Sequence, residues 1–302
     1  MMSPRTFLDL PDAGPDDADV VLLPLPFEGT VSYGRGTAGG PESILAASCQ
    51  VELWDEELDF DLDKLSYHWA EPVAPQDSED ACSYLERVFT AAQSPHQTGK
   101  LVVGIGGEHS LTAPLARAAA GADDLTDVTV VQFDAHADLR DEYEGDKHSH
   151  ACVMRRVLER GASVVAIGIR SAEREEMEHG RSSARYRAFL AQRLAEGAHE
   201  EAELLSQLRG ITGDVYLTFD VDALEVMYSP ATGTPQPGGL TWWQTLRYLR
   251  ALLMENPHCR IIGCDVVETS SQPGTTVNEF TSARLVCKIL AYLCQGSGRR
   301  ES

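Results

Sequence analysis

The sequence predicts an α/β fold with three layers, in which helices cover both faces of a central, mostly parallel β-sheet. Short runs rich in Val and Ile recur along the 302 residues and are apolar on both faces, as are the strands of a fully covered parallel sheet. The segments between them carry apolar residues at spacings of three and four, which is the period of an amphipathic helix. Strands that alternate with helices are typical of a doubly wound α/β domain.

The predicted strands are six apolar runs. In chain order they are 19–25 (DVVLLPL), 100–106 (KLVVGIG), 127–133 (DVTVVQF), 163–169 (SVVAIGI), 214–219 (DVYLTF) and 260–267 (RIIGCDVV). The predicted helices are the amphipathic segments 112–120, 184–208, 242–255 and 282–294. The Pro- and Gly-rich segment 223–239 is predicted to be a long loop, and loops of that length inside a compact domain are usually functional or disordered.

Bulk properties limit the class of protein. No internal repeat and no linker divides the chain, so we expect a single domain over residues 1–302, with frayed tails at 1–18 and 296–302. The net charge of -22 argues against nucleic acid and membrane as partners, because anionic partners are bound through Lys and Arg. The same charge favours a cationic substrate, although an acidic surface equally often serves solubility.

Cysteine spacing and hydropathy indicate a cytoplasmic protein. None of the seven cysteines belongs to a C-x-x-C pair, which argues against a disulfide framework and against a zinc ribbon. The N-terminal segment lacks the basic and apolar regions of a signal peptide. No apolar run approaches the roughly 18 residues that a membrane span needs.

His, Asp and Glu residues follow four of the predicted strands. Because ligands of open parallel sheets bind at the carboxyl ends of the strands, these residues are expected to meet at one edge. They are, in chain order, Glu108, His109, Asp134, His136, Asp138, Asp220, Asp222, Asp265 and Glu268. The alternation of Asp134, His136 and Asp138 places all three on one face of an extended chain. A single strand-end Asp is more often a turn cap than a ligand, but this many negative charges repel one another unless a cation neutralises them.

The donor set predicts a metal centre at this edge. Carboxylates with one or two imidazoles suit Mn²⁺, Mg²⁺ or Zn²⁺. The set holds more carboxylates than one ion needs, which indicates two bridged ions. Such a pair activates water and holds a polar substrate.

The motifs resemble those of the ureohydrolases, the family of agmatinase, arginase and their relatives, over most of the chain. The segments that carry the resemblance are 29–44 (GTVSYGRGTAGGPESI), 104–112 (GIGGEHSLT), 133–143 (FDAHADLRDEY), 148–156 (HSHACVMRR), 168–171 (GIRS), 217–224 (LTFDVDAL), 232–240 (TGTPQPGGL) and 265–268 (DVVE). The match is closest to bacterial and archaeal agmatinases. It implies an arginase-like fold, two Mn²⁺ per subunit, a homotrimer or homohexamer, and hydrolysis of a guanidino group to urea and an amine.

The resemblance also implies a role for each matching residue. One Mn²⁺ would be held by His109, Asp134, Asp138 and Asp220, and the other by Asp134, His136, Asp220 and Asp222. Asp134 and Asp220 would bridge the two ions. Glu268 would pair with the guanidinium, whose planar edge matches a carboxylate, and His150 occupies the position of the family's proton-shuttling histidine.

The acidic segment LRDEYEGDK at 139–147 bears on the substrate. Asp141 and Glu142 are expected to receive a primary ammonium and to repel a carboxylate, which favours agmatine as substrate and putrescine, a polyamine, as product. A solvated loop is the equal alternative, since charged runs usually face solvent. Arg140 can attract an acid, so guanidinobutyrase, arginase and formimidoylglutamase activities stay open, as does a catalytically silent metal-binding relative.

Two loops depart from the family pattern. After Asp222 the chain reads ALEVMYSP, where relatives usually show a further Asp-Pro. After Glu268 it reads TSSQPGTTVNEFTSA, where relatives usually have a Pro and an Asp before the last helix. Neither departure removes a proposed ligand, so both bear on the substrate pocket and on subunit contacts.

Overall fold

The computed structural model describes residues 5–296, and within this range the chain folds around one large sheet. Its strands are β1 (Val20–Leu25), β4 (Tyr67–Trp69), β5 (Leu101–Gly106), β6 (Val128–Phe133), β7 (Ser163–Ile169), β8 (Tyr186–Leu190), β9 (Gly213–Asp220) and β10 (Cys259–Val267). A short antiparallel pair, β2 (Trp54–Asp55) and β3 (Phe60–Asp61), stands apart. The eight strands lie in the order β4-β1-β5-β10-β9-β6-β7-β8, and every neighbouring pair is parallel.

Helices cover both faces of this sheet, which confirms the predicted α/β class. The helices are α1 (Gly14–Asp17), α2 (Gly40–Ser48), α3 (Ala81–Gln97), α4 (Thr112–Ala120), α5 (Val153–Glu159), α6 (Arg174–Ser182), α7 (Ala191–Glu196), α8 (Ala198–Gly210), α9 (Trp242–Leu253) and α10 (Val277–Gln295). None of the helices within residues 5–296 is both long and apolar enough to span a bilayer.

Alternate side chains of the strands feed two apolar cores. In β6, Val131 and Phe133 lie in the core that packs against α2, α8, α9 and α10. Val128 and Val130 lie in the core that packs against α3, α4 and α5. The strands are buried on both sides, so their sequences are apolar on both faces, as predicted.

The strand order brings the ligand-bearing ends together. β5, β10, β9 and β6 are consecutive neighbours in the sheet. The register pairs Phe133 with Phe219, and Val267 with Asp220, so the residues that follow these positions leave the sheet at the same level. The predicted meeting of polar residues at one edge follows from this register.

The predicted helix at 184–208 is wrong over its first part. Residues Tyr186–Leu190 form the edge strand β8, and α7 and α8 follow it. Tyr186, Phe189 and Leu190 have helical spacing, but the segment is also rich in aromatic residues, which suit strands. Pairing with β7 decides between the two, and it buries Phe189 completely.

The predicted frayed tail at 1–18 is also wrong for the residues described. Phe7 and Leu8 are buried in the core beside α2, and residues 14–17 form α1. Residues 1–4 and 297–302 lie outside the described range. The prediction of a single domain over residues 1–302 stays a prediction.

Candidate metal centre

The first group of donors lies around the imidazole of His109, in the turn after β5. Its Nδ1 is 3.0 Å from Asp134 Oδ2, 3.1 Å from Asp138 Oδ2 and 3.5 Å from Asp220 Oδ2. All four side chains are buried. Three carboxylates from the ends of β6 and β9 thus converge on one imidazole nitrogen.

The second group lies around His136. Its Nδ1 is 2.9 Å from Asp222 Oδ2 and 3.6 Å from Asp134 Oδ1. Asp134 therefore belongs to both groups, through different oxygens, as a bridging ligand would. Asp220 belongs to the first group only, so its predicted bridging role stays a prediction.

Backbone hydrogen bonds orient the carboxylates. The Asp222 N–H donates to Asp220 Oδ1 at 2.8 Å, and the Ala135 N–H donates to Asp222 Oδ1 at 3.0 Å. Each of these carboxylates is left with its Oδ2 turned to the centre. Asp134 is held by the His136 N–H at 2.6 Å and by Gln132 Nε2 at 2.8 Å.

The tautomer of His109 is set by a hydrogen-bonded chain behind it. Thr218 Oγ1 donates its only proton to Asp265 Oδ1 at 2.6 Å, so it accepts from His109 Nε2–H at 2.9 Å. Thr112 and Tyr216 also donate to Asp265. Burial lowers the pKa of His109, but the carboxylates of Asp134 and Asp138 outweigh it and raise the pKa well above its usual range. In the neutral ring that a metal would require, Nδ1 is a lone-pair nitrogen that faces three carboxylate oxygens. This all-acceptor arrangement fits a cation.

The pKa shifts of the buried side chains also indicate a site for a cation. Burial and the neighbouring Asp134 raise the pKa of Asp138 to about 7, and burial, Asp222 and Asp134 raise the pKa of Asp220 well above its usual range. Burial lowers the pKa of His136, but the Asp222 carboxylate outweighs it and the pKa rises to about 11. Within residues 5–296, no Lys or Arg side chain forms an ion pair with these carboxylates. The residues of a binuclear metal site are present, and their charge calls for external cations.

Glu268 follows β10 and reaches the same cleft. Its Oε1 accepts from the His109 N–H at 2.8 Å, and its own N–H donates to the Gly107 carbonyl at 2.7 Å. Glu268 has a φ of 65° and Asp138 a φ of 52°, which is strained backbone for residues other than glycine. Both strained residues place a carboxylate in the cleft.

His150 lines the cleft from the other side, together with Asp138, Asp222 and Glu268. Its Nδ1 is 3.3 Å from Thr30 Oγ1 and 3.3 Å from Ser149 Oγ. Burial lowers the pKa of His150 to about 4. The imidazole is thus a neutral base at the wall of the site.

Asp141 and Glu142 are not part of the cleft. Both side chains are exposed, and Asp141 pairs with Arg156 at 2.8 Å and with Lys147 at 3.6 Å. Helix α5 supplies Arg156, which draws the Asp141 carboxylate away from the metal centre. The two side chains therefore lie outside the residues that line the cleft, and their predicted contact with the substrate stays a prediction.

The outer cleft is lined by Arg140, which the sequence singled out, and by two glutamates that sequence reasoning missed, Glu173 and Glu176. It has a volume of about 300 Å³ and is bordered by Arg140, Tyr143, Glu173 and Glu176, beyond His150. Arg140 Nη1 is 3.0 Å from Glu173 Oε1 and its guanidinium stacks on the Tyr143 ring. The GIRS motif at 168–171 lies just before Glu173 and Glu176 and is the signal that could have pointed to them.

Arg170 of that motif anchors the long loop after β9. Its Nη2 donates to the carbonyls of Asp222 at 2.6 Å and Gln236 at 2.7 Å. The atypical Glu225 accepts from the N–H groups of Gly238 and Gly239, both at 2.8 Å. The departure at this position therefore closes the loop on itself.

Comparison with known proteins adds independent findings. The profile of the arginase family matches residues 18–295. The chain is 38% identical over 280 residues to an N(1)-aminopropylagmatine ureohydrolase of Synechocystis sp., which covers 91% of this chain and 89% of the relative. It is 33% identical over 295 residues to an agmatinase of Pyrococcus horikoshii, with 95% and 96% covered. The crystal structure of agmatine ureohydrolase of Thermoplasma volcanium superposes with a TM-score of 0.80 at 28% identity, over 93% of this chain and 92% of that one.

Proposed function

Because the chain belongs to the arginase family, we propose that it cleaves agmatine to putrescine and urea with two Mn²⁺ per subunit. As a member it is a ureohydrolase that acts on linear amidines. One observation carries the proposal. Two groups of metal donors, which have Asp134 in common, converge on one cleft, and Glu268 and His150 line the same cleft.

The donor set fits Mn²⁺, since carboxylates and imidazoles bind it readily. His109, Asp134, Asp138, Asp220, His136 and Asp222 would hold the ions. When bound, the metals supply a water whose pKa is lowered enough to make it a nucleophile near neutral pH.

Glu268 is placed to orient the substrate. The His109 N–H holds its Oε1, which fixes the plane of the carboxylate. A guanidinium presents two parallel N–H groups to such a plane, so the pair selects a guanidinium carbon directed at the metal centre. Strong burial around Glu268 strengthens this attraction by excluding water.

His150 is placed to move a proton. Hydrolysis of a guanidine requires that the departing amine gain a proton, and a neutral imidazole at the cleft wall can take one from water and deliver it. The pKa of His150 is lowered to about 4 by burial, which keeps the imidazole neutral before the substrate enters.

The outer cleft supports a cationic tail. Glu173 and Glu176 carry two negative charges against the one positive charge of Arg140. An ammonium at the far end of the substrate would compete with Arg140 for Glu173, whereas a carboxylate would face both glutamates. This arrangement favours agmatine over arginine and guanidinobutyrate, and it takes over the role first predicted for Asp141 and Glu142.

N(1)-aminopropylagmatine is a second candidate substrate. A relative that is 38% identical bears that name, and the cleft continues outward past Tyr143. A longer tail would carry an extra secondary ammonium along the same acidic wall. Both candidates share the guanidinium end and differ only in what lies beyond His150.

A substrate panel tests the proposal. The Mn²⁺-loaded protein is given agmatine, N(1)-aminopropylagmatine, arginine, guanidinobutyrate and guanidinopropionate, and urea release is measured. We expect kcat/KM for agmatine to exceed that for arginine by about 100-fold, as a lost or mismatched charge contact costs. A preference for the aminopropyl compound would establish the second candidate. A preference for an acid would overturn both, and bound Mn²⁺ without turnover would establish a silent relative.

We also infer a homotrimer or homohexamer. Tyr33, Met227 and Trp243 are large apolar side chains that are exposed in the single chain, as residues of subunit contacts are. Sedimentation equilibrium tests this, and a monomer at micromolar concentration would contradict it. The cytoplasmic location stays a prediction.

A further inference from the structure

We propose that Glu108 and Thr30 are positioning residues that hold His150 with its proton on Nδ1, so that Nε2 is the nitrogen that exchanges protons with the cleft. The proposal rests on the proton-transfer role of His150 in the proposed function. It concerns two residues outside the metal ligands and outside the guanidinium pocket.

Both carboxylate oxygens of Glu108 accept hydrogen bonds from Thr30. Thr30 Oγ1 donates to Glu108 Oε1 at 2.6 Å, and the Thr30 N–H donates to Glu108 Oε2 at 2.7 Å. Ser110 Oγ donates to Glu108 Oε1 at 2.8 Å. Glu108 is completely buried, which raises its pKa, but three donors surround it, and the 2.6 Å distance from Thr30 Oγ1 is typical of a hydrogen bond to an ionised carboxylate. Glu108 therefore acts as an acceptor toward Thr30.

Because Thr30 Oγ1 donates its proton to Glu108, it can only accept further hydrogen bonds. A hydroxyl has one proton and two lone pairs, and the proton is already given to Glu108. The His150 N–H donates to Thr30 Oγ1 at 3.0 Å, and His150 Nδ1 lies 3.3 Å from the same oxygen. A bare Nδ1 would set its lone pair against a lone pair of Thr30. The contact is favourable only when Nδ1 carries the proton.

Ser149 does not oppose this assignment. Its Oγ also lies 3.3 Å from His150 Nδ1, but its hydroxyl proton can turn away and let the oxygen accept. The Nδ1–H tautomer can thus donate to Thr30 without a conflict at Ser149. The other tautomer satisfies Ser149 alone.

A close approach of two backbones makes the arrangement rigid. The Glu108 N–H donates to the Phe27 carbonyl at 2.9 Å, which ties residues 27–30 to the end of β5. A Cβ on Gly107 would lie 1.9 Å from that carbonyl oxygen, so only glycine permits the contact. Thr30 is therefore presented to His150 by the sheet and not by a free loop.

The consequence is a directed proton path. With Nδ1–H held by Thr30, the lone pair of Nε2 is free, and the imidazole can take up a proton there and release it to the departing amine. Loss of the Thr30 hydroxyl would let the ring populate the other tautomer, in which Nε2 is blocked.

Three variants test the proposal. Thr30→Val keeps the shape and the backbone N–H but removes the hydroxyl, Thr30→Ser keeps the hydroxyl, and Thr245→Val is the control. Thr245 is fully buried, whereas Thr30 is partly buried; it lies in α9 and has an Oγ1 without a hydrogen-bond partner. Thr30→Val is expected to lower kcat about 10-fold with little change in KM, less than the roughly 100-fold or more that loss of general acid–base catalysis costs. Thr30→Ser is expected to restore most of the rate.

The tautomer itself is read without turnover. In metal-free protein with ¹⁵N-labelled histidine, the His150 signals are identified by their loss in His150→Ala. The ring nitrogen shifts of the wild type and of Thr30→Ser are expected to report Nδ1–H, and those of Thr30→Val a mixture. An Nε2–H signal in the wild type overturns the proposal, as does equal kcat loss in the Ser and Val variants. A protein that cleaves no guanidine but shows Nδ1–H would refute the proposed function and leave the positioning intact.

Discussion

Two clusters of carboxylates, one around the buried Asp55 and one around the buried Asp134, are neutralised in different ways. Beside α10, Lys288 Nζ lies 2.9 Å from Asp55 Oδ2 and 3.1 Å from Glu57 Oε2, and Tyr292 donates to Glu57 at 2.7 Å. Arg250 pairs with Glu57 as well. At the carboxyl ends of β6 and β9, by contrast, no Lys or Arg from the described part of the chain forms an ion pair with the aspartate carboxylates.

The pKa shifts of the two places have opposite signs. Burial raises the pKa of Glu57, but hydrogen bonds from Tyr292 and Lys288 outweigh it, so the pKa is lowered. Burial and neighbouring carboxylates raise the pKa of Asp138 and Asp220. A buried acid beside a cation of its own chain is a structural lock. A buried acid beside other acids is a site for a cation from solution.

The largest effect is expected at the metal centre. In Asp220→Asn, Oδ1 still accepts from the Asp222 N–H, while the amide group replaces the oxygen that faces His109 Nδ1. We expect a loss of at least about 1,000-fold in urea release together with lower manganese content, because a ligand is lost. The metal-free variant should unfold no sooner than metal-free wild type, since one repelling charge has gone.

The matched control is Asp214→Asn. Asp214 lies at the other end of β9 and pairs with Arg260 at 2.6 Å on the surface. Manganese content and turnover are expected to stay at wild-type values in this variant. Full metal loading and full activity of Asp220→Asn would remove Asp220 from the centre.

A large effect on stability is expected at the structural lock, the cluster of Lys288, Asp55 and Glu57. Lys288→Met preserves the length of the side chain and leaves Asp55 and Glu57 without their buried cation. The free energy of unfolding should fall by about 3 kcal/mol, the usual cost of removing one partner of a buried pair. Urea-induced unfolding measures it, and the same loss is expected with and without Mn²⁺. Dependence of that loss on Mn²⁺ would mean that the two places are coupled.

A smaller effect should appear in the pH dependence of the lock. The pKa of Glu57 is lower in the folded protein than its ordinary 4.5, so its charge stabilises the fold above that value. This contribution is lost as the pH falls through the folded pKa. The stability difference between metal-free wild type and Glu57→Gln should therefore be full near neutral pH and shrink below about pH 4. A difference that grows on acidification would reverse the sign argued for the lock.

The smallest effect concerns carboxylates that belong to neither place. The double variant Asp141→Asn, Glu142→Gln should change KM for agmatine by less than about 2-fold, since both side chains face solvent. Glu173→Gln, in the outer cleft, should raise KM about 5-fold or more by weakening the attraction for the ammonium. Steady-state urea release gives both numbers. A larger change in KM for the double variant than for Glu173→Gln would indicate that Asp141 and Glu142 contact the substrate.

Most of this architecture was predictable from patterns within single segments of the sequence. All six apolar runs are strands, because a strand buried on both faces must be apolar throughout. The alternation of Asp134, His136 and Asp138 after β6 was also visible within a single segment. The structure brings all three together with His109, Asp220 and Asp222.

What escaped prediction depends on contacts between distant residues. Asp141 lies next to the metal motif in sequence, but Arg156 of α5 determines where its side chain points. Lys288 meets Asp55 across 233 positions, and Thr30 meets Glu108 across 78. No pattern within a single segment contains such pairings, and β8 was missed because only its pairing with β7 distinguishes it from a helix.

The position of β10 in the strand order also has a consequence for biosynthesis. β10 is the last strand to be made, yet it lies between β5 and β9, in the middle of the sheet. Until it is inserted, His109 and the aspartates of β6 and β9 belong to two separate half-sheets. A chain still on the ribosome therefore cannot complete the centre before residues 259–267 have emerged. The first donor group, which combines His109 with aspartates of the other half-sheet, therefore forms only after β10 has joined the two halves, whereas the second group needs β6 and β9 alone.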